Sequence, residues 1–196
     1  MIKSSALLEE AARLKAEDAS LSCYAAFTKA ARSLGLKRSP ALQEISCLQL
    51  ERAVRQYQET FRPGHLGVVN ELRRRALSAM RFLDQFRPRL VGSILSGTAD
   101  ANSKLTLHLF ADTPEEVMLF LMERKIPFVE STRQHRYRSG EYRSHPVFSF
   151  VADGQQVDLV VFNSLEIREA PLGAGDTGLI QRASVAQVEK LLEAGC

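Results

Sequence analysis

Between Lys104 and Phe110 the chain alternates leucines with side chains that can do chemistry. In an extended segment Lys104, Thr106, His108 and Phe110 fall on one face and Leu105, Leu107 and Leu109 on the other, because side chains in a strand alternate with period two. The leucine face is core. The opposite face offers an ammonium, a hydroxyl and a titratable imidazole in a row. A second group of such residues, Arg133, His135, Arg136, Arg138, Arg143 and His145, makes a later strand and loop basic, either as a charge-guarded edge strand or as an anion-binding rim. A third, Arg73, Arg74, Arg75 and Arg81, rides on a long helical segment, where consecutive arginines span most of the circumference. Other constellations are missing from the sequence: there is no G-x-S-x-G, Walker loop, H-E-x-x-H or Cys-His motif. His65, His108, His135 and His145 lack metal-ligand spacing as a set, and Gly173 and Gly175 form no dinucleotide fingerprint.

The elements that must position these residues follow from capping and periodicity. A first helix capped by Ser4 or Ser5 runs to about Ala19, and a second runs from Ser22 to Leu34 and stops at Gly35. Ser39-Pro40 restarts a helix towards Thr60, giving a helix-turn-helix outline with Lys29, Arg32, Lys37 and Arg38 at its corner. Arg62-Pro63-Gly64 breaks the chain before a long helix to about Phe86. Thr113-Pro114-Glu115-Glu116 is a capping box with proline at the first helical position, and Val117, Leu119, Phe120, Leu121 and Met122 are expected to bury that helix. Strands are expected from Phe128 to about Tyr137, over Val147–Ala152 and over Gln155–Phe162, the last two joined by an Asp153-Gly154 hairpin turn. Ser184 caps a closing helix through Leu192.

The stretch RLVGSILSGTADANSKLTLHLFAD, from Arg89 to Asp112, resembles the signature of the nucleotidyltransferase superfamily: an apolar strand, Gly-Ser, a loop of about ten residues, and a strand carrying two aspartates one residue apart. Laid on that pattern without a gap, Gly92-Ser93 match the Gly-Ser, and Lys104 and Thr106 stand at the two aspartate positions. The third carboxylate of the family, on a neighbouring strand, is matched by Asp158 in VDLVVF. The resemblance covers roughly residues 75 to 162 and is closest to small bacterial nucleotidyltransferase-like proteins with a degenerate metal site. It implies an α/β (α+β) fold, a mixed sheet with flanking helices over residues 63–196, preceded by a helical region over residues 1–62. Periodicity alone permits one continuous strand over Leu90–Leu95, whereas the resemblance implies a strand ending near Gly92 and a short helical turn from Ser93.

The resemblance also implies two-magnesium chemistry on three carboxylates, and here two of the three are replaced. A divalent cation about 4 Å from an ammonium meets repulsion of roughly 8 kcal/mol at an effective dielectric of about 20. A catalytically inactive domain is therefore expected, with Lys104 paired to Asp158 and with Gly92, Ser93, Lys104, Thr106, His108 and Asp158 available to a nucleotide, a phosphate ligand or a macromolecular partner. Three alternatives stand beside it: a divergent active transferase using Asp158 or His108, for which alone magnesium would be required; nucleic-acid binding through Arg73, Arg74, Arg75 and Arg81; and a structural or regulatory interaction module. No cofactor is expected otherwise.

Charge is uneven. Residues 1–88 carry 15 Lys/Arg against 9 Asp/Glu, and residues 89–196 carry 11 against 14, so the helical half is the basic one. The three cysteines, Cys23, Cys47 and Cys196, show no C-x-x-C spacing, so neither a disulfide framework nor a zinc site is indicated and a reducing cytoplasm is the expected compartment. No apolar run is long enough to span a membrane and no signal-peptide core opens the chain, so a membrane partner is not expected.

Overall fold

The computed structural model describes residues 2–18, 21–36, 46–62, 64–173 and 178–194. Among the described residues three N-terminal helices, α1 (Ile2–Glu17), α2 (Cys23–Ser33) and α3 (Cys47–Phe61), pack around Leu7, Ala11, Phe27, Ala30, Leu50 and Val54. Alanines at the contact let the helix backbones approach closely. The expected restart at Ser39-Pro40, with Lys37 and Arg38, lies outside the described residues. Ser46 supplies the N-cap of α3, in a capping box with Gln49. Ser22 caps α2, accepting from the Ala25 N–H at 3.1 Å, and Gly35 ends it with φ of 64°. Helix α1 starts at Ile2, earlier than a Ser4 or Ser5 cap would place it; the Ser5 hydroxyl instead donates to Glu9 one turn on, at 2.9 Å.

Helix α4 (His65–Phe82) leads into the sheet through a 3-10 turn, Asp84–Phe86, so the helix is shorter than expected and the chain turns at Arg87 with φ of 48°. The strands are β1 (Arg89–Val91), β2 (Leu105–Ala111), β3 (Val129–Arg136), β4 (Tyr142–Ala152) and β5 (Gln155–Asn163), in the order β1-β2-β5-β4-β3. The β2–β5 pair is parallel and the other pairs are antiparallel, so the sheet is mixed. Helices α5 (Ser93–Ser96), α6 (Pro114–Glu123) and α7 (Val185–Glu193) flank it. The architecture is thus α+β: helices first, then a mixed five-stranded sheet with further helices around it.

The leucine face of β2 is core as expected. Leu105, Leu107 and Leu109 are buried with Leu159, Val161 and residues of α4, α6 and α7. In α6 the buried residues are Val117, Phe120 and Leu121, the i, i+3, i+4 set that forms one stripe, while Leu119 and Met122 are more than half exposed, which corrects the expectation that all five are buried. Strand β4 starts five residues before Val147. Pro146 is tolerated inside it because the ladder to β5 begins only at Val147, leaving the proline without a donor to lose on that side. Asp153 and Gly154 both take positive φ, 49° and 74°, as a two-residue hairpin turn requires.

One cysteine expectation is overturned. Cys23 and Cys47 form a disulfide with Cα atoms 5.8 Å apart. They meet because each is the first residue of a helix whose cap, Ser22 or Ser46, immediately precedes it, and α2 and α3 start side by side. Cysteine usage is consequently no ground for assigning a reducing compartment. Among the described residues no helix is long and apolar enough to cross a membrane.

Candidate functional site

Strand β1 ends at Val91 and Gly92 adopts φ 78°, ψ −155°, a region open to glycine and strained for any other residue. Its position is otherwise open, since a Cβ there would meet nothing within 4 Å. Conformation, not crowding, requires glycine here, and it redirects the chain into the short α5, as the Gly-Ser resemblance implied. The carbonyl end of α5 is held by the helical half. Arg73 donates to the Ile94 carbonyl at 3.2 Å and to the Leu95 carbonyl at 3.1 Å, Arg55 donates to the Ser96 carbonyl, and Gln58 donates to the Thr98 carbonyl at 3.3 Å.

This assigns Arg73 a structural task and corrects its reading as a surface cation: it is 6% exposed, and burial pulls its pKa down. Arg74 and Arg75 turn to Glu71, each at 3.4 Å, and Arg81 pairs with Glu189 at 2.8 Å. The four arginines therefore do not present one basic face, because helical spacing sends neighbours in different directions.

Thr106 and Asp158 are direct partners in the parallel β2–β5 register, so their side chains share a face of the sheet. Asp158 is 3% exposed and both of its oxygens are bonded: Oδ1 accepts from Ser149 at 2.8 Å and Oδ2 from Arg133 at 3.0 Å, with Lys104 Nζ at 4.0 Å from Oδ2. The expected Lys104–Asp158 pair is present as the longer contact, and Arg133 is the closer partner. Alternation along β3 accounts for this, since Arg133 and His135 point to the same face as His145 and Asp158.

Along the same face lies a polar cluster built from β2, β3, β4 and the segment after β5. His108 Nδ1 accepts from Arg182 Nε at 3.0 Å. His135 Nδ1 and His145 Nδ1 are 3.1 Å apart. Glu166, in the 3-10 turn Ser164–Arg168, accepts from the Tyr137 hydroxyl at 2.9 Å, from Arg143 at 3.1 Å and from the Asn163 N–H at 2.9 Å, and it lies 3.3 Å from His145 Nε2. The rings of His108, His135 and His145 gather around Phe162, with centroids 4.5, 5.3 and 4.2 Å from it. Burial, followed by the charge of Arg182, pushes the His108 pKa down to about 2, and burial with His145 and Arg133 pushes His135 to about 4. His108 is thus neutral across the physiological range, which corrects its reading as a titratable acid or base: the imidazole is buried beside a guanidinium. Burial raises the Glu166 pKa, but its hydrogen bonds from Asn163, Tyr137 and Arg143 outweigh this and hold it below the usual carboxylate range.

A cleft of about 960 Å³ opens between the helical half and this face. Lys15, Leu48 and Glu51 line it from the helical side, and Gly92, Thr106, His108, Arg133 and His135 from the sheet side. Of the six expected ligand residues, Gly92, Thr106 and His108 line the cleft; Ser93, Lys104 and Asp158 stand outside its lining. Ser149, Tyr137, Glu166 and Arg182 were not singled out from sequence. Asn163-x-x-Glu166 does carry a capping-box signal that points to Glu166.

The residues at the three carboxylate positions do not fit a pair of magnesium ions. Lys104 and Thr106 supply no carboxylate, and Asp158 has both oxygens engaged, one by a guanidinium. Among the described residues no group of three or more His, Cys, Asp or Glu side chains is arranged to hold a metal ion. No protein-family model matches the chain, and no curated protein matches it. The α+β architecture with its mixed sheet is consistent with the nucleotidyltransferase-like resemblance, and the described residues include no evident metal-chelating triad.

Proposed function

We propose that this protein binds a nucleotide or another phosphate-bearing ligand in the cleft, as a nucleotidyltransferase-like domain without the transfer chemistry. The observation that carries the reading is the charge around Asp158. One buried carboxylate faces two cations, Arg133 at 3.0 Å and Lys104 at 4.0 Å, whose side chains are 43% and 53% exposed. Charge is therefore left over on the positive side where the resemblance would have three acids. Arg133 spends one nitrogen on Asp158, and the rest of its guanidinium has no bonded protein partner among the described residues. That leaves part of a planar donor fork, fixed in orientation by a buried anion, for a phosphate oxygen. Thr106 and the open backbone at Gly92 lie on the same wall of the cleft.

His108 supports the reading by what it withholds: neutral, buried and bonded to Arg182, it does not change protonation state near neutral pH and so offers no acid or base for transfer chemistry. Calorimetric titration with ATP and with inorganic tripolyphosphate, in chelator and at low salt, tests the proposal. Both are expected to bind, with affinity falling as salt rises, and Arg133→Ala is expected to weaken each at least tenfold. Absence of binding by either probe, or magnesium-dependent nucleotide incorporation abolished by Asp158→Asn, would overturn it.

A further inference from the structure

The histidines beside the anion site have a polarity that the surrounding bonds determine. Arginine keeps its protons, so Arg182 Nε must donate to His108 Nδ1, and the proton of this neutral ring is on Nε2. At the other histidines the chain of bonds starts from a carboxylate. Glu166 can only accept, so His145 presents Nε2–H to it, and the Nδ1 of His145 is left with a lone pair. His135 Nδ1, 3.1 Å away, must then be the protonated partner of that bond, and its own Nε2 carries a lone pair. The Tyr137 hydroxyl is consistent with this assignment, since it is closer to Glu166, at 2.9 Å, than to His145 Nε2, at 3.3 Å.

We infer that His108 and His135 form a donor–acceptor pair of fixed polarity on the wall of the cleft, which recognises the sugar hydroxyls of a phosphorylated ligand held at Arg133. Both residues line the cleft, and among the described residues neither Nε2 is bonded to a protein group. The ring centroids are 5.9 Å apart. Two hydrogen bonds meeting at one oxygen span roughly 5 Å and a pair of hydroxyls on adjacent carbons spans more, so a vicinal pair can accept from His108 and donate to His135. Such a group matches the pair, whereas a fully ionised phosphate offers only acceptors and would leave the His135 lone pair unmatched. Arg133 lies two residues before His135 on the same face of β3, which places the anion and hydroxyl subsites about 7 Å apart along the strand. A vicinal diol attached to a phosphate, as in a ribose phosphate, has the reach and the polarity for both.

The inference rests on the phosphate-binding reading above, and its test separates the two. Nitrogen-15 NMR of histidine-labelled protein at neutral pH should find the proton of His108 on Nε2 and that of His135 on Nδ1; the reverse tautomer at either ring overturns the inference whatever binds. Calorimetry in chelator should then find ATP binding at least tenfold more tightly than 2′,3′-dideoxy-ATP. His135→Phe should remove that preference and leave the affinity for tripolyphosphate unchanged. Equal affinity of the unmodified protein for ATP and its dideoxy analogue, with tripolyphosphate still bound, overturns the hydroxyl subsite and spares the anion site. Failure of all three probes to bind overturns both.

Discussion

Two carboxylates, the buried Asp158 and the partly buried Glu166, organise the same face of the sheet, and their surroundings differ in kind. Asp158 is met by Ser149 and by two cations that remain about half exposed, so positive charge is left facing the cleft. Glu166 is met by a hydroxyl, a backbone N–H, an imidazole and Arg143, a guanidinium that also pairs with Glu141 and Glu169. One centre leaves positive charge unspent. The other consumes its charge internally and determines where protons sit on the histidines. Their difference shows how one sheet face can leave positive charge unspent at one end and satisfy its charges internally at the other, a few residues apart.

The comparison breaks most visibly at Glu166. Glu166→Ala strands the Tyr137 hydroxyl, His145 and part of Arg143 in a largely buried site, and is expected to cost about 3 kcal/mol or more in urea unfolding. A loss below about 1 kcal/mol would mean that the Glu166 centre is not the rigid one. Acid should act next, through the same centre. Folded His135 stays neutral down to about 4 while the unfolded imidazole protonates near 6.5, so as pH falls the unfolded chain takes up its proton first. Stability is then complete above about pH 6.5, declines below it by about 3 kcal/mol from this residue, and has lost that contribution by about pH 4. Glu166, whose pKa is lowered from 4.5, extends the loss as pH falls below that value. A flat stability profile between pH 7 and 5 would contradict the buried, neutral placement of the histidines.

A smaller effect is expected at the turn that supports the Asp158 end. Arg73→Ala leaves the Ile94 and Leu95 carbonyls without their donor and should cost about 1–2 kcal/mol. Arg74→Ala, one residue along and exposed, should change stability by less than about 0.5 kcal/mol. Equal effects from the two would remove the distinction between a supporting arginine and a surface one.

How much of this could be read from the chain follows the same division. Periodicity alone left Leu90–Leu95 open as one continuous strand; through the family resemblance the Gly92-Ser93 turn, and Thr106 and Asp158 as neighbours, were legible. Glu166 and its partners were not. They come together across separations of 29 residues to Tyr137 and 21 to His145, while Arg182 reaches His108 across 74. Alternation tells which face a histidine takes, but the gathering of His108 and His135 around Phe162, from strands that are not neighbours in the sheet, depends on how the sheet curves. The Cys23–Cys47 bond escaped for a related reason. A spacing of 24 residues carries no motif, and only the side-by-side starts of α2 and α3 bring the sulfurs together.

The central claim, that the site at Asp158 binds anions by leftover positive charge and not through a carboxylate-held metal, is tested most directly by Asp158→Asn. The substitution keeps an oxygen for Ser149 and removes the negative charge beside Arg133 and Lys104. Tripolyphosphate affinity in chelator, measured by calorimetry, should then rise several-fold over the unmodified protein, with a steeper dependence on salt. A fall in affinity, together with loss of magnesium-dependent binding that the unmodified protein displays, would contradict the account.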